Sequence, residues 1–398
     1  MLYKSRYLDL TLILVISYSI FYIAHKFYGG KIPFWDFHIT YCASKTFFLE
    51  NFPYGLNVHG DCLHPNITLT ANYSPGTLEI LKYLGSLNII SANILWVFFE
   101  IISFFIIFYV MKKIFKFNYN LRNLLLIIFS FGGTIFFSFI SGNLSFILYG
   151  FIALGIYFLY LKKFNYFYLT ILFVSLFKFY YLTFLLLPFY ILGWKSLKNI
   201  FLYFFFFILI QYFFYLKNPE LTIAFLDIIQ GNFQEDLPTR FQTGTGLYSI
   251  IEKIPWILLG INSFDKSFFA IEINLLLWLF ASFTIFFGVF LCLNNKKIKS
   301  SSKHFLFCIS FGILVINLIT PRLVVYDLIL TIPILFYILN QINFKNIFKK
   351  KIYEYKLKFC FIFLSLVIFD HHFPFFVISF FLMILIYSEI NKKNYFIY

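Results

Sequence analysis

Long apolar runs separated by short polar segments set the pattern of this chain. Eight of the runs, at 8–28, 89–111, 121–140, 144–161, 199–216, 268–293, 305–319 and 323–340, each read as one hydrophobic span. Two further stretches, 166–192 and 359–387, begin and end at Lys clusters, so each must cross an even number of times or re-enter. At about 1.5 Å per helical residue, each has room for two short helices. Lys178 falls at the middle of the first, and Asp370-His371-His372 at the middle of the second. The pattern predicts one all-α polytopic membrane domain over 1–398, with about twelve transmembrane or half-membrane helices. The first run lacks the small-residue cleavage site of a secretory signal and reads as a retained span.

Composition agrees with that class. Apolar residues make up 61% of the chain and charged residues 12%, about half the usual share for a soluble domain. A net charge of +15 invites a nucleic-acid partner, but its distribution argues against one. Lys and Arg gather between spans: Lys112, Lys113 and Lys116; Lys162 and Lys163; Lys195 and Lys198; Lys296 to Lys303; and Lys345 to Lys358. That is the positive-inside pattern, and it places these segments and both termini in the cytoplasm. Two large loops, 29–88 and 217–267, then face the other side, and they hold Asp36, Glu50, Asp61, Glu220, Glu235 and Asp236.

The first of these loops is the place to look for chemistry. It carries Phe34-Trp35-Asp36-Phe37-His38, Phe52-Pro53-Tyr54-Gly55 and Asn72-Tyr73-Ser74-Pro75. Asp36 just beyond the first span suits a general base. It also suits an N-cap, because the apolar-periodic stretch Phe37 to Leu49 follows it. Its aromatic neighbours equally fit an interfacial belt. Pro75 is expected to open the helix leading to the second span. Gly142-Asn143 makes a tight outer turn, where Asn143 either closes the turn or donates to a ligand.

Intramembrane charge is the second signal. Lys178, with Pro188 beyond it, either snorkels or meets an anionic lipid phosphate. Arg240 and Arg322 are further outer-face cations, and the planar guanidinium fork suits phosphate. Asp327 reads as a neutralising carboxylate for a nearby cation. His371 and His372 lack a partner set for a metal and read as an interfacial turn. The Cys show no metal spacing. Cys42 and Cys62 share the outer loop and can pair if that face is oxidising, although the spacing favours two free thiols.

Taken in order, these features resemble glycosyltransferase family 87, the polyprenol-phosphate-mannose-dependent mannosyltransferases of the GT-C class. The order is a first span, Asp36 in an aromatic setting, Pro53-Tyr54, Tyr73-Ser74-Pro75, Gly142-Asn143 where the family has Gly-Gln, Lys178 in a broken segment, and a late Pro turn. The chain departs from the pattern with Ser74 inside the Tyr-Pro-Pro element. It also has Thr320-Pro321-Arg322 and Tyr326-Asp327 where a Ser-Pro, a Trp and paired His are usual.

The resemblance implies a GT-C-type bundle with Asp36 as catalytic base. It maps the family's Lys of the broken segment onto Lys178, and Arg240, Arg322, Tyr73, Asn143 and His38 are expected to bind substrate with it. The partners it implies are a polyprenyl-phosphate sugar donor, a glycolipid or glycan acceptor and the bilayer of the cell membrane, with no cofactor. Competing classes are a transporter or flippase for a lipid-linked or anionic solute, and a glycan polymerase or ligase. Paired broken segments would serve transport, but a long polar outer loop is not needed for it.

Overall fold

The computed structural model describes residues 2–28, 33–49, 52–54, 73–116, 121–234, 246–248, 251, 259, 271–294, 304–320 and 325–341. Among these residues every regular element is a helix. In chain order they are α1 (Leu2–Tyr28), α2 (Trp35–Phe48), α3 (Pro75–Gly85), α4 (Ile89–Phe115), α5 (Leu121–Ser141), α6 (Leu144–Tyr160) and α7 (Phe164–Phe177). A 3-10 helix (Phe179–Leu186), the short α8 (Phe189–Leu192) and a second 3-10 turn (Gly193–Ser196) lead into α9 (Leu197–Lys217) and α10 (Pro219–Gln234). After these come α11 (Ile271–Leu293), α12 (His304–Ile319), a 3-10 helix (Val325–Leu328) and α13 (Thr331–Gln341).

By length and composition, three helical stretches among the described residues can cross a membrane: Ile89–Phe115, Phe179–Lys217 and Glu272–Leu293. α6, α7 and α12 are apolar but shorter. Burial sorts them by role. α6 and α12 are enclosed along most of their length, whereas α9 and α11 expose Phe201, Phe205, Phe213, Leu276, Phe280 and Phe283. Exposed aromatics in such number suit a lipid solvent and not water. α4 packs along α6, with Ser103 seated on Gly150. A Cβ at Gly150 would lie 2.6 Å from the Ser103 side chain, so the two backbones approach closely there.

Helix positions follow the hydrophobic runs closely, and the departures have local causes. The run 121–140 was expected to be one span, but α5 bends by 63° between Ser130 and Gly133. Gly133 takes φ +68°, and the Ser19 hydroxyl of α1 donates to the Phe129 carbonyl just before the bend, at 3.0 Å. The run 323–340 was expected to be a single span, but it divides at Leu328. The Asp327 carbonyl accepts from the Tyr149 hydroxyl and does not continue a helix. The stretch 166–192 does break, as expected, at Lys178. Arg240, Arg322, His371, His372 and the stretch 359–387 lie outside the described residues.

Cys42 corrects the expectation of free thiols in the outer loop. It is disulfide-bonded. Cys292 and Cys308 are free.

Candidate functional site

The polar centre of the fold is the turn between α5 and α6. Gly142 takes φ +66°, where a Cβ would meet Phe34 and Phe37, each at 2.7 Å, so only glycine lets α2 lie against the turn. The Trp96 indole N–H holds the Gly142 carbonyl at 3.0 Å, and the Phe34 N–H holds the Ile140 carbonyl at 2.9 Å. The start of α2 is thereby fixed against the start of α6.

Asn143 caps α6: its Oδ1 accepts from the Ser145 N–H at 2.9 Å. Its Nδ2 donates to Asp36 Oδ2, also at 2.9 Å. Asn143 therefore closes the turn, as one of its two expected roles has it, and its free amide N–H goes to a carboxylate of the chain itself. Asp36 is not the cap of α2. The cap is Phe34, with φ 61° and no side-chain hydrogen bond, and Asp36 lies inside the first turn. There the helix dipole favours its negative charge, and the N-terminus of α6 adds to that field.

One residue beyond Leu144, the Ser145 hydroxyl joins two further charges. It donates to Asp327 Oδ1 at 2.8 Å and accepts from the Lys178 ammonium. Asp327 also accepts from Tyr181 at 2.7 Å and from Tyr180 at 3.0 and 3.2 Å. Asp327 and Ser145 are fully buried, whereas Asp36, Lys178 and Tyr180 are half-buried. The cluster thus has a dry back built on Asp327 and an accessible front carrying Asp36 and Lys178. Lys178 also lies 5.7 Å from the centroid of the Tyr180 ring, within cation–π range.

Tyr73 joins from the α3 side. The single hydroxyl proton of Thr40 goes to the Asp36 carbonyl at 3.0 Å, so Tyr73 is the donor in their 2.5 Å contact. Burial raises the Tyr73 phenol above its usual range. The Thr40 bond opposes this in part, and the negative charge of Asp36 adds to it. His38 packs its ring against Phe37, with centroids 5.7 Å apart.

Asp36, Asn143, Lys178 and Tyr73 are thus brought together, and Asp327 does meet the cation, through a serine. Ser145, Tyr149, Tyr180 and Tyr181 were missed. The adjacent pair Tyr180-Tyr181, two and three residues after an intramembrane Lys, was the available signal. No described group of His, Cys, Asp and Glu is arranged to hold a metal.

A half-buried carboxylate oriented by the Asn143 amide, and a half-buried ammonium held by Ser145 two residues further on, can together accept a proton and stabilise an anion on one substrate. No protein-family model, curated protein or solved structure matches the chain.

Proposed function

We propose that the chain is a membrane glycosyltransferase. It moves a hexose, mannose by the family resemblance, from a polyprenyl-phosphate donor to a glycolipid or glycan acceptor at the non-cytoplasmic face of the cell membrane, with inversion. The observation that carries the reading is the convergence of Asp36 and Lys178, far apart in sequence, on the first turn of α6.

In this mechanism the acceptor hydroxyl attacks the anomeric carbon and gives its proton to Asp36. The bond to the lipid phosphate breaks, and the electron pair leaves with the phosphate oxygen. Lys178 stabilises that charge, which matters more than protonating an already good leaving group. Asn143 holds the carboxylate in place and spares reorganisation at the moment of transfer. The isoprenoid tail rests among apolar helix faces such as those of α9 and α11. A disulfide at Cys42, on the helix that carries Asp36, supports an oxidising and hence non-cytoplasmic side for this loop.

The test is transfer of labelled sugar from a polyprenyl-phosphate donor by the purified chain in bilayers. Lys178→Ala is expected to raise the donor KM about 10- to 100-fold, the range for a charge-assisted hydrogen bond. Lys178→Arg should keep part of the affinity. An unchanged donor KM in Lys178→Ala would return this residue to snorkelling. Movement of the intact lipid-linked sugar across the bilayer without transfer would decide for a transporter.

Topology has its own test. With native free cysteines replaced, Cys introduced at Asn57 or Gln234 should react with an impermeant thiol reagent in intact cells. Reaction only after lysis would put both loops, and the site with them, on the cytoplasmic side.

A further inference from the structure

The segment Tyr73–Thr77 bonds to both halves of the site. On one side Tyr73 donates to Thr40, which is tied to the first turn of α2 at Asp36. On the other, the Thr77 hydroxyl lies 2.9 Å from the Leu176 carbonyl and 3.2 Å from the Phe177 carbonyl, and the Ser74 hydroxyl lies 3.2 Å from the Leu176 carbonyl. These are the last two carbonyls of α7. In an unbroken helix the Phe177 carbonyl would take the Tyr181 N–H, but that N–H goes to Lys178 at 3.0 Å. Lys178 itself turns to an extended backbone, φ −138° and ψ 102°, before the 3-10 helix begins.

Away from water a carbonyl without a partner is costly, so a break here needs donors from elsewhere. Thr77 is fully buried and Ser74 nearly so. Ser74 also caps α3, accepting from the Thr77 N–H at 3.2 Å, and its hydroxyl lies 2.9 Å from that of Thr77, so the two are held together. Pro75 opens that helix at the position where a missing N–H costs nothing.

We infer that Ser74 and Thr77 are positioning residues for Lys178. Their hydroxyls hold the break in α7 that carries the ammonium to Ser145, and Tyr73 sets that break relative to Asp36. The Tyr-Ser-Pro element, whose Pro75 the sequence offers only as the start of a helix, is then a strut between the two charged groups of the front. Its consequence for donor binding rests on the proposed function, whereas the strut itself does not.

Two readouts on the full chain in bilayers separate these. In the first, Lys178→Cys is made with the other free cysteines replaced, and its alkylation by N-ethylmaleimide is timed. Thr77→Val should speed alkylation about five-fold, the factor one net hydrogen bond is worth. Thr77→Ser, which restores the hydroxyl, should return the parent rate. Equal rates in all three overturn the inference. If Thr77→Val does not accumulate, Ser74→Gly removes one hydroxyl while glycine still serves as a cap. It should speed alkylation about two-fold by the same reasoning, and an unchanged rate again overturns the strut. In the second readout, with Lys178 restored, Thr77→Val should raise the donor KM about five-fold with kcat nearly constant, and Thr77→Ser should reverse it. Faster alkylation with an unchanged donor KM supports the strut and counts against Lys178 as the donor's anchor.

Discussion

Asp36→Asn is expected to leave a folded, inserted protein that transfers sugar about two to four orders of magnitude more slowly, the usual share of general-base catalysis. The substitution is nearly isosteric, and its amide oxygen can still accept from Asn143 Nδ2, the 2.9 Å bond that holds the native carboxylate. No cap is lost, because Phe34 and not Asp36 is the cap of α2. What goes is the charge, which beside a helix N-terminus is worth about 0.3–1 kcal/mol, and the capacity to take a proton. A thermal midpoint close to the parent's with transfer nearly abolished is therefore the expected pair of results. Asp36→Ala differs in a telling way. It strands the buried Asn143 amide, so it should cost a further 1–3 kcal/mol or so of stability on top of the same loss of transfer. Full transfer by Asp36→Asn from a labelled polyprenyl-phosphate donor would remove the catalytic role and with it the enzyme reading.

The sequence made some of this site legible and hid the rest for a physical reason. Apolar runs report how much of a helix must avoid water, so α4, α6, α9 and α12 fall within a few residues of where the hydropathy puts them. A single charge inside such a run is as visible as the run itself, and Lys178 marked the end of α7 correctly. Glycine followed by Asn between two runs predicted the α5–α6 turn for the same kind of reason. Periodicity does not report partners. Asp36 and Asn143 are 107 residues apart, and Ser145 and Asp327 are 182 apart. A serine in the first turn of a helix is so common as local chemistry that Ser145 carried no sign of joining a Lys to an Asp. Asp327 was legible as a carboxylate needing a cation, but its tyrosine partners were not, because tyrosine in an apolar run reads equally well as interface or core. The bend at Gly133 escaped because two glycines inside an apolar run are tolerated in membrane helices without a kink.

Asp327→Ala is expected to be the most destabilising single change in the site. The native carboxylate is fully buried and accepts from Ser145, Tyr180 and Tyr181, while its own carbonyl takes the Tyr149 hydroxyl. Removing it leaves those side-chain hydroxyls without their acceptor and takes away the carboxylate that faces the Lys178 ammonium across Ser145. Breaking a buried charged contact in this way costs about 3–5 kcal/mol, a large part of the roughly 5–15 kcal/mol that holds a domain together. Asp327→Asn should fall between parent and Ala. It keeps an acceptor oxygen, but it places an amide where Tyr180 donates and lacks the charge that faces Lys178. The check is thermal or denaturant unfolding of purified protein in one detergent, with the order parent, Asn, Ala. A double change, Asp327→Ala with Lys178→Met, should recover part of the loss, because the uncompensated cation is gone with its partner. Additive costs in that cycle would mean that the two charges do not meet through Ser145, and Lys178 would then need another reason to be tolerated at this depth.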